Sequence, residues 1–315
     1  MLPDMSGPHG DRKIVGLGFA CLDMLVVWRD AAAPVRDNAA VEMDLQGGGM
    51  AATAMAAVAR LGGRAELCGF VGDDWAGEMI VRGLAAEGVG VAGVRRVAGA
   101  SGPISLVSVD GPSGERHFSG FRRLEEPTEP LAAEDAAASA ACLLIDDTRP
   151  RSAVPAARAA RRAGVPVVAD FGGKGLADAE LLAAADYAIV SAANLRQAGL
   201  AAALPDACRA VAARGPRCVV VTRGGEGLAC LAGGQLIERP AFAVDVVDTT
   251  GAGDVFHGAF CFALAAGLTL ADNLAFSSAV AALKCRSLGG RGGIPTLGET
   301  LRFLADRGAP VTWPH

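Results

Sequence analysis

Histidine is scarce in this sequence. The four present, at positions 9, 117, 257 and 315, include no pair spaced i, i+4, so a histidine-built metal site is not expected. The eight cysteines, at 21, 68, 142, 208, 218, 230, 261 and 285, form no C-x-x-C pair. Zinc sites and disulfide frameworks favour clustered spacing, so these read as small core residues in a reducing cytoplasm. No apolar run reaches the roughly 18 residues of a membrane span. Residues 1–12, MLPDMSGPHGDR, lack the apolar stretch of a secretory signal and are expected to form a flexible lead. A basic block is missing too: the formal charge of −5 is spread along the chain, which argues against nucleic acid and for a small-molecule partner. Two nucleotide motifs are absent. No G-x-x-x-x-G-K-[ST] loop occurs, and Gly16-Leu17-Gly18 is followed by Cys21 where a dinucleotide fingerprint needs its third glycine.

What is present is ample apolar residue, 51% of 315, arranged in a rhythm. Short β-rich runs (13–20, 66–70, 141–146, 165–170, 187–191 and 218–223) alternate with alanine-rich helical patterns (50–61, 74–87 and 153–163 among them). Such alternation predicts one α/β domain over 13–315, with a mainly parallel sheet covered by helices on both faces. Ligands then gather at the carboxyl ends of the strands. Two segments break the rhythm. Residues 24–46 have no helical period, and 104–121 read as two strands, ISLVSVD and ERHFSGF, joined by the turn GPSG. Together they predict a small antiparallel flap over that edge of the sheet.

The run DTTGAGDVFH, at 248–257, carries the chemistry. Apolar residues at 255, 256, 259, 260, 263 and 264 set a helix beginning near Gly253. Its first amides have no partner within the helix, and the positive end of the dipole points the same way, so Gly251, Ala252 and Gly253 offer donors to an anion. Asp254 in the first turn would repel a phosphate, which makes sense if it takes a proton from a nucleophile attacking phosphorus. It could equally do no more than complement the helix dipole. Upstream, Gly47, Gly48 and Gly49 precede a second helix with the face Met50, Ala54, Val58 and Leu61, so backbone can approach a polyhydroxy ligand there. Asp23, after the first strand, could accept bonds from sugar hydroxyls or simply shape a turn.

DTTGAGDVFHGAF resembles the C-terminal signature of the ribokinase-like (PfkB) carbohydrate kinases, and the likeness extends over nearly the whole chain. GGMAATAMAAVARLGG (48–63) is similar to that family's N-terminal signature, residues 66–89 to the segment after it, and VVVTRGGEGL (219–228) to the strand and turn that meet the nucleotide. The resemblance implies a three-layer αβα sandwich with a β-lid, and ATP-dependent phosphorylation of a sugar. It makes Asp254 the catalytic base and Gly251, Ala252 and Gly253 the anion hole. Asp23, the 47–49 glycines and Thr53 fall on substrate positions, and Ser191, Asn194, Thr222, Gly224, Gly227 and Ala279 on nucleotide positions. Magnesium would arrive on ATP. Asp248, Gly289 and Gly293 lie around a monovalent-cation site that would take potassium.

The chain also departs from the family pattern. Thr53 replaces the usual asparagine, and Ser191-Ala192-Ala193-Asn194 stands where N-x-x-E is usual. A sugar-binding regulatory protein without kinase activity is therefore the rival expectation. Within the family, GGGMAATAMAAVARLG, PAFAVDVVDTTGAGDVFHGA and ALKCRSLGGRGGIP are similar to the 6-deoxy-6-sulfofructose kinase branch. Arg149 matches the arginine expected of that branch, whereas Asp37 stands near an expected lysine and Gly120 at an expected asparagine. Arg122 and Arg123 are further candidates to meet an anionic group on the sugar. Apolar flap residues such as Leu106 and Phe118 predict pairing of two flaps into a homodimer.

Overall fold

The computed structural model describes residues 13–29, 39–110, 116–122, 124–172, 175–200 and 203–313. The lead at 1–12, Asp37, Arg123, and the side chains of Phe118 and Arg122 lie outside that description. The chain opens with β1 (Ile14–Leu17), β2 (Cys21–Trp28), β3 (Ala40–Gly48), α1 (Met50–Arg60), β4 (Ala65–Gly72), α2 (Trp75–Ala86) and β5 (Gly90–Val97). Next come β6 (Ile104–Asp110), β7 (Arg116–Arg122), α3 (Glu134–Ser139), β8 (Cys142–Asp146), α4 (Pro150–Arg162), β9 (Val167–Phe171) and α5 (Ala179–Ala184). The remainder is β10 (Tyr187–Ser191), α6 (Ala192–Gln197), α7 (Leu204–Ala212), β11 (Cys218–Thr222), β12 (Leu228–Ala232), β13 (Gln235–Arg239), α8 (Ala252–Ala265), α9 (Leu270–Lys284) and α10 (Leu297–Asp306).

Nine strands form the large sheet in the order β13-β12-β11-β10-β9-β8-β1-β4-β5. From β5 to β11 the pairs are parallel, and β12 and β13 add an antiparallel edge. Alternate residues of the central strands go to opposite cores. Ile14, Leu67, Leu144, Val168 and Ile189 pack with α1, α2, α8, α9 and α10. Their neighbours Val15, Cys68, Leu143, Val167 and Val190 pack with α3, α4, α5 and α7. This is the period-two signature of a sheet buried on both sides, and it produces the three-layer α/β sandwich. Among the described residues no helix is long and apolar enough to cross a membrane.

The flap is a separate four-stranded sheet, β3-β2-β6-β7, with a small core of Leu25, Val107 and Val109. It is not wholly antiparallel as expected, because β2 and β6 run parallel through seven paired positions. The cause lies in the connectivity: β2–β3 and β6–β7 are each antiparallel neighbours in the chain, and they meet through their first strands. A hairpin signal reports the pairing within each half and says nothing about how the halves join.

Helix α8 is buried from Val255 through Ala263 and lies against α1. The approach is close at one point, where a Cβ on Gly258 would overlap the Ala54 carbonyl oxygen. Glycine lets the two backbones touch, and this sets the two glycine-preceded helix starts side by side. Gly258→Ala should therefore cost about 1–3 kcal/mol of stability by overpacking against rigid backbone. Urea unfolding measures this; an unchanged midpoint would show that the crossing tolerates a wider separation.

Candidate active site

The N-terminus of α8 is capped by Gly251 in a left-handed conformation (φ 71°). A Cβ there would meet the Gly290 backbone, with the carbonyl oxygen 2.9 Å away, so the turn is pressed against the 289–291 loop. Asp248 anchors it. Its carboxylate accepts from the amides of Thr250 at 2.6 Å and Gly289 at 2.7 Å, and the amides of Val247 and Asp248 donate to Cys285 O at 2.8 and 3.0 Å. Within the turn the Ala252 amide donates to Thr249 O at 3.1 Å. One of the three amides expected to face an anion is thus already engaged. Among the described residues the amides of Gly251, Gly253 and Asp254 have no partner, whereas that of Ala252 is occupied.

Asp254 is half-buried beside these amides, while Gly253 is exposed with open space where a side chain would stand. Desolvation, reinforced by the negative charge of Asp170, pushes the Asp254 carboxyl up to about 7. Asp170, at the end of β9, is itself raised well above the ordinary range by burial and by Asp146 and Asp147. One turn into α8, burial lowers the pKa of His257, so its imidazole is neutral. Its Nδ1 lies 2.7 Å from Gly253 O and must donate to that carbonyl, which leaves Nε2, 3.4 Å from Asp170 Oδ1, as an acceptor. Neither Asp170 nor His257 stands out in the sequence; the available signal was an aspartate at or next to the carboxyl end of β8 and of β9, the ligand-binding edge of a parallel sheet.

Asp23 lies within β2 of the lid rather than in a turn after β1, and it is 8% exposed. Burial raises its pKa, and the Cys21 thiol donates to Oδ1 at 3.2 Å. The glycines 47–49 serve a purpose the sequence did not disclose. A Cβ on Gly47 would overlap the Arg291 guanidinium, and one on Gly48 the Asp23 carboxylate. The space at Gly47 and Gly48 is filled by charged side chains. Gly49 has φ 93° and faces Phe19 O and Ala20 Cα, where no side chain fits. Arg291, 4% exposed, ties these parts together by donating to Gly48 O at 3.1 Å and to Thr53 Oγ1 at 3.3 Å. Thr53, at the family's asparagine position, is thereby engaged by protein.

Arg149 caps α4 at the same edge and is 5% exposed. It donates to Thr148 O and Leu124 O, each at 2.9 Å, and lies over the Phe19 ring at 5.6 Å. Among the described residues its buried Nε has no partner.

Ser191, Thr222 and Gly224 converge on a cavity of about 480 Å³ walled by Leu195, Leu200 and Ala207, a size suited to a nucleotide base and sugar. The other proposed nucleotide residues stand elsewhere. The Asn194 side chain donates to Phe171 O at 3.1 Å, and its backbone amide donates to the Ser191 hydroxyl oxygen, the helix cap, at 3.0 Å. Gly227 allows the close passage of the Arg239 carbonyl, and Ala279 is fully buried in α9. Among the described residues no three His, Cys, Asp or Glu side chains close on one point as a metal cage. The carboxylates of Asp146, Asp147 and Asp170 are nevertheless hard oxygen donors of the type magnesium takes when phosphates supply further ligands.

Residues 19–297 match the pfkB family carbohydrate kinases. A ribokinase from Bacillus subtilis is 27% identical over 93% of this chain and 100% of its own length. An ATP-dependent ribose-1-phosphate kinase from Halopiger xanaduensis is 36% identical over 83% of this chain and 87% of that protein. Among solved structures, Arabidopsis thaliana ribokinase complexed with ribose and ATP superposes with a TM-score of 0.82 at 26% identity, covering 93% of this chain and 98% of that one. A family match that spans both glycine-preceded helix starts, on a fold of the same build, places this chain in the pfkB family of carbohydrate kinases.

Proposed function

We propose that the protein transfers the γ-phosphoryl group of ATP to a primary hydroxyl of a ketose or a related sugar, including sugars that carry an anionic group. The observation that carries this reading is Asp254, poised to accept a proton near neutral pH beside unpartnered amides at the mouth of α8. In the reaction the sugar oxygen bonds to the γ-phosphorus, the bond to the β-phosphate oxygen breaks, and the hydroxyl proton passes to Asp254. The amides of Gly251, Gly253 and Asp254 face the charge that builds on the transferred group. Magnesium, when bound, neutralises phosphate charge; Asp147 and Asp170 are the carboxylates that would share it. Asp23 accepts from sugar hydroxyls. The unpartnered Nε of Arg149 is the donor offered to a sulfonate, phosphate or carboxylate on the sugar. Ser191, Thr222 and Gly224 receive the nucleotide.

The eight cysteines are free and buried, which suits a reducing cytoplasm. Pairing of two lids is supported by β3, where Val41, Met43 and Leu45 alternate along one face at 56%, 66% and 39% exposure.

Sugar-dependent ADP formation across a panel that includes fructose, sulfofructose, ribose and sugar acids tests the reaction directly. Tight sugar binding with no turnover would instead favour a regulatory protein. Asp254→Asn should lower kcat by about 10²–10⁴-fold while sugar affinity stays within a few-fold, as expected for loss of a general base. Unchanged turnover would remove the base assignment. The raised pKa also has a sign. Below about 7 the base is protonated, so kcat/KM should fall roughly tenfold per pH unit there. The same shift destabilises the fold as pH rises from the unfolded carboxyl value through about 7, so Asp254→Asn should melt a few degrees higher than the parent at pH 8. A lower melting temperature would contradict the desolvation argument. For the dimer, Met43→Lys should shift the mass seen by light scattering from two chains towards one; a monomeric parent protein would contradict lid pairing.

A further inference from the structure

Among the residues that the family resemblance assigns to potassium, Asp248 is engaged by a buried lysine in this chain. Lys284, the last residue of α9, is fully buried, and its ammonium donates to Asp248 O at 2.9 Å. A carbonyl oxygen of the turn that leads into α8 is therefore already bound to a positive charge. Gly289 contributes an N–H, which donates to the Asp248 carboxylate at 2.7 Å and cannot ligate a cation. Gly293 packs on the backbone of the same lysine, where a Cβ would stand 2.5 Å from Lys284 O. Of the carbonyl oxygens of this turn, that of Asp248 is thus already engaged by an ammonium.

We propose that the Lys284 ammonium replaces a resident monovalent cation in this protein, fixing the 247–251 turn and making the anion hole independent of potassium. A fully buried ammonium is costly unless charge and hydrogen bonds compensate it. Compensation comes from the Asp248 carbonyl, from the negative end of α9, and from the Asp248 carboxylate, itself fully buried. Burial alone would push the Asp248 carboxyl up, but the amides of Thr250 and Gly289 and the lysine charge hold it below its ordinary value. The geometry then passes the constraint along. Asp248 is held at its carbonyl by Lys284, at its amide by Cys285 O and at its carboxylate by Gly289, and Gly251 presses on Gly290 three residues later. A mobile ion in that place could leave; a tethered one cannot. Lys284 is in this sense a positioning residue for the amides that face the transferred group. Its kinetic consequence rests on the phosphoryl-transfer reading, while its effect on cation binding and stability does not.

The test compares potassium chloride with tetramethylammonium chloride at equal ionic strength. For the parent protein, melting temperature and sugar-dependent kcat should be the same in both salts, and thallium-205 NMR should show no bound ion. A potassium-dependent rise in melting temperature, or about tenfold activation by potassium, would overturn the proposal. Lys284→Ala opens a cavity beside a carbonyl and a carboxylate. It should lose kcat by about tenfold or more in tetramethylammonium with sugar KM little changed, and recover when potassium or ammonium is added. Lys284→Met fills the space without charge and should not be rescued. Full activity of Lys284→Ala without potassium would overturn the proposal. If that variant fails to fold, the parent's melting and thallium measurements decide. If no sugar supports ADP formation, those two measurements still stand, so failure of the kinase reading is told apart from failure of this one.

Discussion

The contact of Gly258 with the Ala54 carbonyl is the constraint on which the site depends. It lets α1 and α8 lie backbone to backbone, and both helices begin on glycines that adopt left-sided φ values, Gly49 and Gly251. With the starts side by side, the residues just before α1 and just inside α8 share one edge of the sheet. Asp23, brought in by the lid strand paired to the 46–48 segment, is then near enough to Asp254 to act on its pKa. A pairing of small residues deep in the sandwich thus determines what two distant parts of the chain can do together.

The charges at this edge are arranged in two tiers. Asp146, Asp170 and Asp254 are acids whose pKa values burial pushes up. They sit at the carboxyl ends of strands β8 and β9 and at the start of α8. Below and beside them, Arg291 and Lys284 are buried cations bonded to the backbone of the very loops that shape the site, Gly48 and Asp248. Cations that brace loops and acids whose pKa burial raises are different uses of burial. In the first the charge is compensated by carbonyls and a carboxylate; in the second desolvation is left partly unrelieved.

Much of this was legible in the sequence, for identifiable reasons. The central strands and helices follow from period-two and period-3.6 apolar spacing, which burial on both faces enforces. The start of α8 follows from glycines before an apolar run, and Asp254 from its place in that first turn. What local pattern cannot carry is contact between segments far apart in the chain. The parallel union of β2 and β6, the filling of the Gly47 and Gly48 hollows by Arg291 and Asp23, and the His257–Asp170 pair all join residues tens to hundreds of positions apart. Lys284 shows the limit well: nothing in the sequence singled it out, and only the fold reveals that it is enclosed. Ala252 makes the same point at short range, since its spacing fits the anion hole but its amide is claimed by Thr249.

The central claim is that the amides at the mouth of α8 cradle a phosphoryl group in transit while Asp254 holds the sugar hydroxyl. A crystal structure with ADP, aluminium fluoride and an accepted sugar measures both contacts at once. The account predicts fluorine atoms within about 3 Å of the Gly253 and Asp254 amides, and the primary hydroxyl about 3 Å from the Asp254 carboxylate. A fluoride complex seated away from those amides, or an Asp254 that does not touch the sugar, would contradict it.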